Sequence, residues 1–270
     1  MTNTIKKRLA AAFYKTVFNS FERSQFGLLL AYDHYEKFVI ANLNNSGKLI
    51  VQGGLFAGLR LYGGIDSGNF NLKHILGSYE AWLNDDIRAL AENRARLLNI
   101  GCASGYFSNG LAQLNPNMAV VGYDIDNGEI NVANQIKELN NLQNVTHKLV
   151  SKEFIYDDIL QSGDMLIVDI EGGELSLLDP QNNPATLLCD IIVEIHMVGD
   201  LGCDEVANII CDRYVKTHTI KTLYEEQKTG IIDKLDSEFG YINRFGQVVA
   251  QAHLRGYTQQ WLVMKRKNGG

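Results

Sequence analysis

The sequence predicts an α/β protein: a doubly wound, mostly parallel sheet of seven strands, preceded by a helical N-terminal extension. Three observations carry this expectation. From residue 96 onward, short apolar runs alternate with stretches of helical periodicity. The first run opens into a turn with glycines at 101 and 105, and the second ends on an acid, Asp124, 23 residues after Gly101. Before residue 96 the texture is mainly helical instead.

Taken in order, Ile5, Leu9, Ala12, Phe13, Val17 and Phe21 recur at helical spacing. They predict an amphipathic helix packed on the body, with a membrane-surface helix as the alternative. Residues 48–64, KLIVQGGLFAGLRLYGG, alternate apolar residues with glycines and read as strand or loop, and residues 76–95 read as one helix. The strand candidates are 96–101, 118–124, 145–150, 165–170, 190–197, 217–225 and 259–267. Helical patterns fill 108–114, 128–139 and 204–215. Residues 1–95 are therefore assigned to a helical, lid-like extension and 96–270 to the sheet domain.

The chain has 270 residues, is 46% hydrophobic and carries a formal charge of −6. That is enough apolar material for a large α/β core. The scattered basic residues predict no nucleic-acid partner. No run reaches the ~18 apolar residues of a spanning helix, so no integral membrane segment is expected. Cys102, Cys189, Cys203 and Cys211 form no C-x-x-C pair and no zinc-type cluster. Free thiols in a cytoplasmic protein are the simplest reading.

In a doubly wound sheet, ligands sit beyond the carboxyl ends of the strands. There the first strand runs into Gly101-Cys102-Ala103-Ser104-Gly105-Tyr106. Its glycines permit a tight turn and close backbone approach to a ligand. Asp124, at the end of the second strand, stands at the spacing where an acid accepts hydrogen bonds from ribose hydroxyls. Together they point to a nucleoside ligand. The spacing G-x-A-x-G is not the dinucleotide pattern, and no P-loop is present. A last strand arriving after a long insertion points to closure by an antiparallel strand.

These features resemble the class I S-adenosylmethionine-dependent methyltransferases, with a Rossmann-like sheet, over roughly residues 96–267. Two positions depart from that family's pattern. It usually has an acid two residues before the first glycine, and a glycine between the two retained here. This chain has Asn99 and Ala103 in those places.

The fourth strand ends in Asp169-Ile170-Glu171-Gly172-Gly173-Glu174 and the fifth in Val193-Glu194-Ile195-His196. Side chains alternate along a strand, so Glu194 and His196 share a face, with Asp169 on the neighbouring strand end. D-x-E-G-x-E followed by V-E-x-H is similar to the FkbM-type methyltransferases, which methylate hydroxyl groups, often on sugars. The upstream G-L-F-A-G-L-R (54–60) and L-G-S-Y-E (76–80) are similar to a segment found in glycan-modifying members.

The resemblance implies S-adenosylmethionine as cofactor and a sugar or glycan as acceptor. By it, Gly101, Ala103, Gly105, Asp124, Tyr79, Glu80, Tyr106 and Glu171 are cofactor-site candidates. His196, Asp169 and Glu194 are the catalytic candidates. An alcohol attacks well only as its proton is removed, and an imidazole with an ordinary pKa of ~6.5 suits that task. Asp169 is the alternative base, and either Glu194 or Asp169 is expected to fix the imidazole tautomer.

Alternatives stand beside these expectations. His196 can instead be a strand histidine satisfied by the backbone. Glu171 and Glu174 can simply favour a helix N-terminus, the reading preferred for Glu174. Asp169, Glu171 and His196 are ordinary ligands for a divalent cation, but nothing in their spacing demands one and no metal is expected. His74 is a second candidate for acceptor contact, while His34, His147, His218 and His253 offer no functional cue. O-methylation of a non-sugar metabolite is one rival function, and a nucleoside-binding module without turnover is another.

Overall fold

A computed structural model describes residues 36–62, 70–154, 156, 159–225 and 259–267. The amphipathic pattern over 5–21, His34 and His253 lie outside the described residues. Ahead of the sheet come a helix over 36–45 (α1), α2 (Leu72–Leu76) and α3 (Asn84–Ala91). The sheet domain then runs β1 (Arg96–Ile100), α4 (Tyr106–Leu114), β2 (Ala119–Asp124), α5 (Asn127–Leu139), β3 (Val145–Leu149) and β4 (Met165–Val168). It continues with α6 (Glu174–Leu177), β5 (Asp190–Ile195), α7 (Cys203–Tyr214), β6 (His218–Tyr224) and β7 (Gln260–Arg266).

The seven strands form one sheet in the order β3-β2-β1-β4-β5-β7-β6. Strands β1 to β5 are parallel, and β7 runs antiparallel to both β5 and β6. The predicted fold class is the observed one. Central strands are apolar at nearly every position because both faces are covered: all four residues of β4 and all six of β5 are buried. The edge strand β3 instead alternates buried and exposed residues in its first three positions.

Alternation along the central strands sorts the core into two layers. Leu97, Met165, Ile167, Ile192, Trp261 and Val263 pack in one cluster with residues of 39–91. Leu98, Leu166, Val168, Ile191, Val193 and Leu262 pack in the other, with α6 and α7. The segment before the sheet is thus bound into the core of one face. Continuing the same alternation puts Asp169, Glu194 and His196 on the face that this segment covers.

One helix expected over 76–95 is broken. Gly77 takes a left-handed conformation (φ 74°) that caps α2, and Glu80 is left-handed too (φ 46°). A 3-10 turn over Ala81–Leu83 then leads into α3. Gly77 has no alternative, since a Cβ there would lie 1.9 Å from the Gly53 carbonyl oxygen. That close approach pins the stretch 48–62, a loop bridged at Ile50 and Arg60, against the end of α2.

Candidate active site

The turn after β1 is held by its neighbour β2. Both Gly101 and Cys102 donate backbone N–H bonds of 2.9 Å to the Tyr123 carbonyl. Gly101, Ala103 and Gly105 all have positive φ, at 77°, 42° and 78°. At Gly101 the requirement is absolute, because a Cβ would stand 1.7 Å from the Asp169 carbonyl oxygen. Ala103, which replaces a usual glycine, keeps the left-handed turn. Its N–H donates to Asp124 Oδ2 at 2.8 Å.

Asp124 therefore does more than wait for a ribose. Its second oxygen accepts from the Asp126 N–H at 2.9 Å, so one carboxylate ties the β1 turn to the β2 turn. Each oxygen retains a lone pair, so hydroxyl recognition remains open to it. Asn99, where an acid is usual, is 2% exposed. Its amide is 3.5 Å from the Ile167 carbonyl, and its Oδ1 has no hydrogen-bond partner.

Above this turn lies a cluster of rings. His74 stacks on Tyr79 at 3.9 Å between centroids, and Tyr106 meets both edge-on. His74 also closes a capping box with Asn71. Burial, aided by the Lys73 charge, lowers its pKa to about 3. It is a neutral residue packed among Phe70, Tyr79 and Tyr106. Burial holds the Tyr79 phenol well above its ordinary pKa, with the charges of Glu80, Asp169 and Glu194 adding to the effect. Tyr79 therefore lies within electrostatic reach of the carboxylates at the ends of β4 and β5.

Those strand ends bring the predicted catalytic residues together. His196 is 8% exposed. Its Nε2 lies 3.3 Å from Glu171 Oε2, 3.7 Å from Glu194 Oε1 and 3.8 Å from Asp169 Oδ1. Its Nδ1 is 2.9 Å from Glu174 Oε1. Glu174, not Glu194 or Asp169, fixes the tautomer. The helix-terminus reading of Glu174 is corrected here: the side chain is wholly buried, so its charge needs a partner inside the protein.

The local backbone explains how this happens. Glu171 (φ 52°) and Gly172 (φ 103°) are consecutive left-handed residues that fold DIEGGE back on itself. Glu171 and Glu174 then approach the imidazole from its two nitrogens. Gly172 also donates its N–H to Glu174 Oε1 at 3.2 Å. Glu171 stays exposed, at 84% of its side chain.

The electrostatics follow from this crowding. Burial alone would lower the His196 pKa. The hydrogen bond to Glu174 and the charges of Glu194, Glu174 and Asp169 overcome it and raise the value to about 9. Asp169 is pushed up to about 8, first by burial and then by Glu194. Glu174 is held below its ordinary value despite burial, through its bond to His196.

Gln259, which sequence reasoning passed over, joins the site from the other side. Its Nε2 donates to Glu194 Oε1 at 2.5 Å and lies 3.5 Å from Glu80 Oε1. Thus Glu80, from the segment before the sheet, and Glu194, from β5, are clasped by the residue before β7. No sequence signal marks Gln259 except its place at the start of an apolar strand.

A family model described as a methyltransferase domain matches residues 91–228, just over half of the chain. The chain belongs to this methyltransferase family. S-adenosylmethionine is its methyl donor. No curated protein matches the methyltransferase. Among solved structures it is similar to the human methyltransferase 10 domain containing protein, at 16% identity and a TM-score of 0.48, covering 84% of this chain and 96% of that one. It is also similar to coclaurine N-methyltransferase bound to N-methylheliamine and SAH, at 14% identity and a TM-score of 0.47, covering 84% and 86%. A third likeness is to precorrin-6y C5,15-methyltransferase from Geobacter metallireducens GS-15, at 12% identity and a TM-score of 0.43, covering 68% and 87%.

The residues fit the cofactor at the β1 end. Asp124 offers carboxylate lone pairs at the end of β2, and Asn99 offers a buried acceptor with no other partner. Among the described residues, no helix of the methyltransferase is long and apolar enough to cross a membrane.

Proposed function

We propose that this methyltransferase transfers a methyl group from S-adenosylmethionine to a hydroxyl of a sugar, in a glycan or glycolipid precursor, in the cytoplasm. The observation that carries the proposal is the meeting of DIEGGE and VEIH around one imidazole. These are the two motifs on which the likeness to the FkbM-type, hydroxyl-methylating family rests.

When bound, S-adenosylmethionine supplies an electrophilic methyl carbon on a sulfonium. Asp124 and the turn over Gly101, Ala103 and Gly105 hold the nucleoside, and Tyr79, Glu80, Tyr106 and Glu171 border the same end of the sheet. His196, Asp169 and Glu194 are the groups able to receive the acceptor's proton. A positioned base typically contributes ~10²–10⁴-fold, and alignment of acceptor oxygen with the methyl carbon contributes more. In this proposal residues 1–95 form an acceptor-side lid on the catalytic domain 96–270. Burial of Glu80 against Gln259 supports the lid role.

The test is transfer of labelled methyl from S-adenosylmethionine into separated cell fractions, with Asp124→Ala run in parallel. Label in the glycan or glycolipid fraction, lost in the variant, is the expected result. Label confined to small molecules, protein or nucleic acid would discard the sugar. His196→Ala should lose most turnover while still binding S-adenosylhomocysteine.

A further inference from the structure

We propose that Asp169, Glu171 and His196 form a binding site for one divalent cation of the magnesium and manganese class, at the ends of β4 and β5.

The three side chains offer two carboxylates and an imidazole, a donor set that such cations accept. One ligand atom from each lies within 4.8 Å of the other two, and His196 Nε2 is 3.3 Å from Glu171 and 3.8 Å from Asp169. With bonds of about 2.0–2.3 Å, donors sharing one ion stand roughly 3–4.5 Å apart. The cluster is already near that spacing.

Two further observations separate this from an ordinary acidic surface. Asp169 is 28% exposed as a side chain, but its Oδ1 is inaccessible to solvent, makes no hydrogen bond and stands 3.8 Å from His196 Nε2. His196 is also built like a ligating histidine. Glu174 takes its Nδ1–H from within the protein, so Nε2, 3.3 Å from Glu171 and 3.8 Å from Asp169, is the nitrogen that would exchange its proton for a cation. A buried carboxylate behind the far nitrogen orients a ligating imidazole and raises its basicity.

Three protein donors leave open positions for further ligands. Resting on the sugar-methylation reading above, the inference deepens it: the open positions take hydroxyl oxygens of the acceptor. A hydroxyl on a divalent cation is more acidic, so it becomes a better nucleophile at neutral pH. His196 and Asp169 then serve as ligands, and Glu194 alone of the three keeps the role of proton acceptor.

The test uses full-length protein stripped with a chelator and titrated with Mn2+ alone, following free Mn2+ by electron paramagnetic resonance and heat by calorimetry. One ion per chain is expected. Asp169→Asn and Glu171→Gln should each weaken binding at least tenfold, and Glu174→Gln by about 10–100-fold. Glu171 is so exposed that its replacement leaves the fold intact, and Glu138→Gln, on the outside of α5, should change nothing. Absence of saturable one-to-one binding, or equal affinity in the Asp169 and Glu171 variants, would overturn the site. Since neither cofactor nor acceptor is present, this outcome is independent of the methylation reading. Binding of Mn2+ without label reaching a sugar would keep the site and remove the hydroxyl acceptor.

Discussion

Glu174, fully buried at the first residue of α6, accepts a 2.9 Å hydrogen bond from Nδ1 of His196, 22 residues away at the end of β5. The bond forces one tautomer, because an ionised carboxylate can only accept. It also gives each partner its charge: the acid is held ionised and the imidazole is held protonated well above its ordinary range.

Glu174→Gln should therefore lower the His196 pKa, since the charge-assisted bond and a nearby negative charge are both lost. Nuclear magnetic resonance titration of chelator-treated protein would show it. Turnover should fall by one to two orders of magnitude, while affinity for S-adenosylhomocysteine stays within about twofold. An unmoved histidine titration would show that the bond does not govern this group.

Asp124→Ala should weaken S-adenosylhomocysteine binding at least tenfold by calorimetry, and Asp124→Asn less. The alanine variant also strands the Ala103 and Asp126 N–H groups, at a cost of about 1–3 kcal/mol in stability. Unchanged affinity would limit Asp124 to a purely structural brace.

Gly101→Ala and Gly163→Ala make a matched pair. Both glycines have positive φ, but a Cβ at 163 meets nothing within 4 Å. That change should cost about 1 kcal/mol, the conformational penalty alone. At 101 the collision with the Asp169 carbonyl adds to it, so the variant should unfold at much lower temperature or fail to fold. Equal melting temperatures would refute the tight β1–β4 contact.

His147 should withdraw stability in mild acid, against Asp169 and His196, whose raised values act the other way. His147 sits between Ser108 and Asn134, and burial lowers its pKa to about 4. The unfolded chain takes up a proton near pH 6.5, whereas the folded one does so only near 4. Stability is then intact above pH 6.5 and falls as pH drops towards 4, by about 2 kcal/mol at pH 5 for this residue. His74 acts in the same direction. Urea unfolding at pH 7 and pH 5 should show the wild type losing about 2 kcal/mol relative to His147→Gln over that interval.

The sheet was legible because β4 is apolar throughout and β5 over Ile191–Val193, a pattern that a strand covered on both faces sustains. Gly101, Asp124, Asp169, Glu194 and His196 were legible because they end strands, where alternation and spacing say where side chains go. Glu174 was not. An acid opening a helix is ordinarily a surface charge, and only the reversal at Glu171 and Gly172 turns it inward. Gln259 was hidden for a different reason: its partners, Glu80 and Glu194, come from parts of the chain far away in sequence. The expected helix over 76–95 failed at Gly77 and Glu80, where docking against Gly53 outweighs helical propensity.

The sheet order has a consequence for how the molecule is made. β7 lies between β5 and β6, although it follows both in the chain. While the polypeptide is still emerging, β5 is an open edge and β6 has no neighbour to pair with. Gln259 has not yet arrived to draw Glu80 and Glu194 together. A half-synthesised enzyme thus exposes two strand edges, a hazard for sticking to other chains.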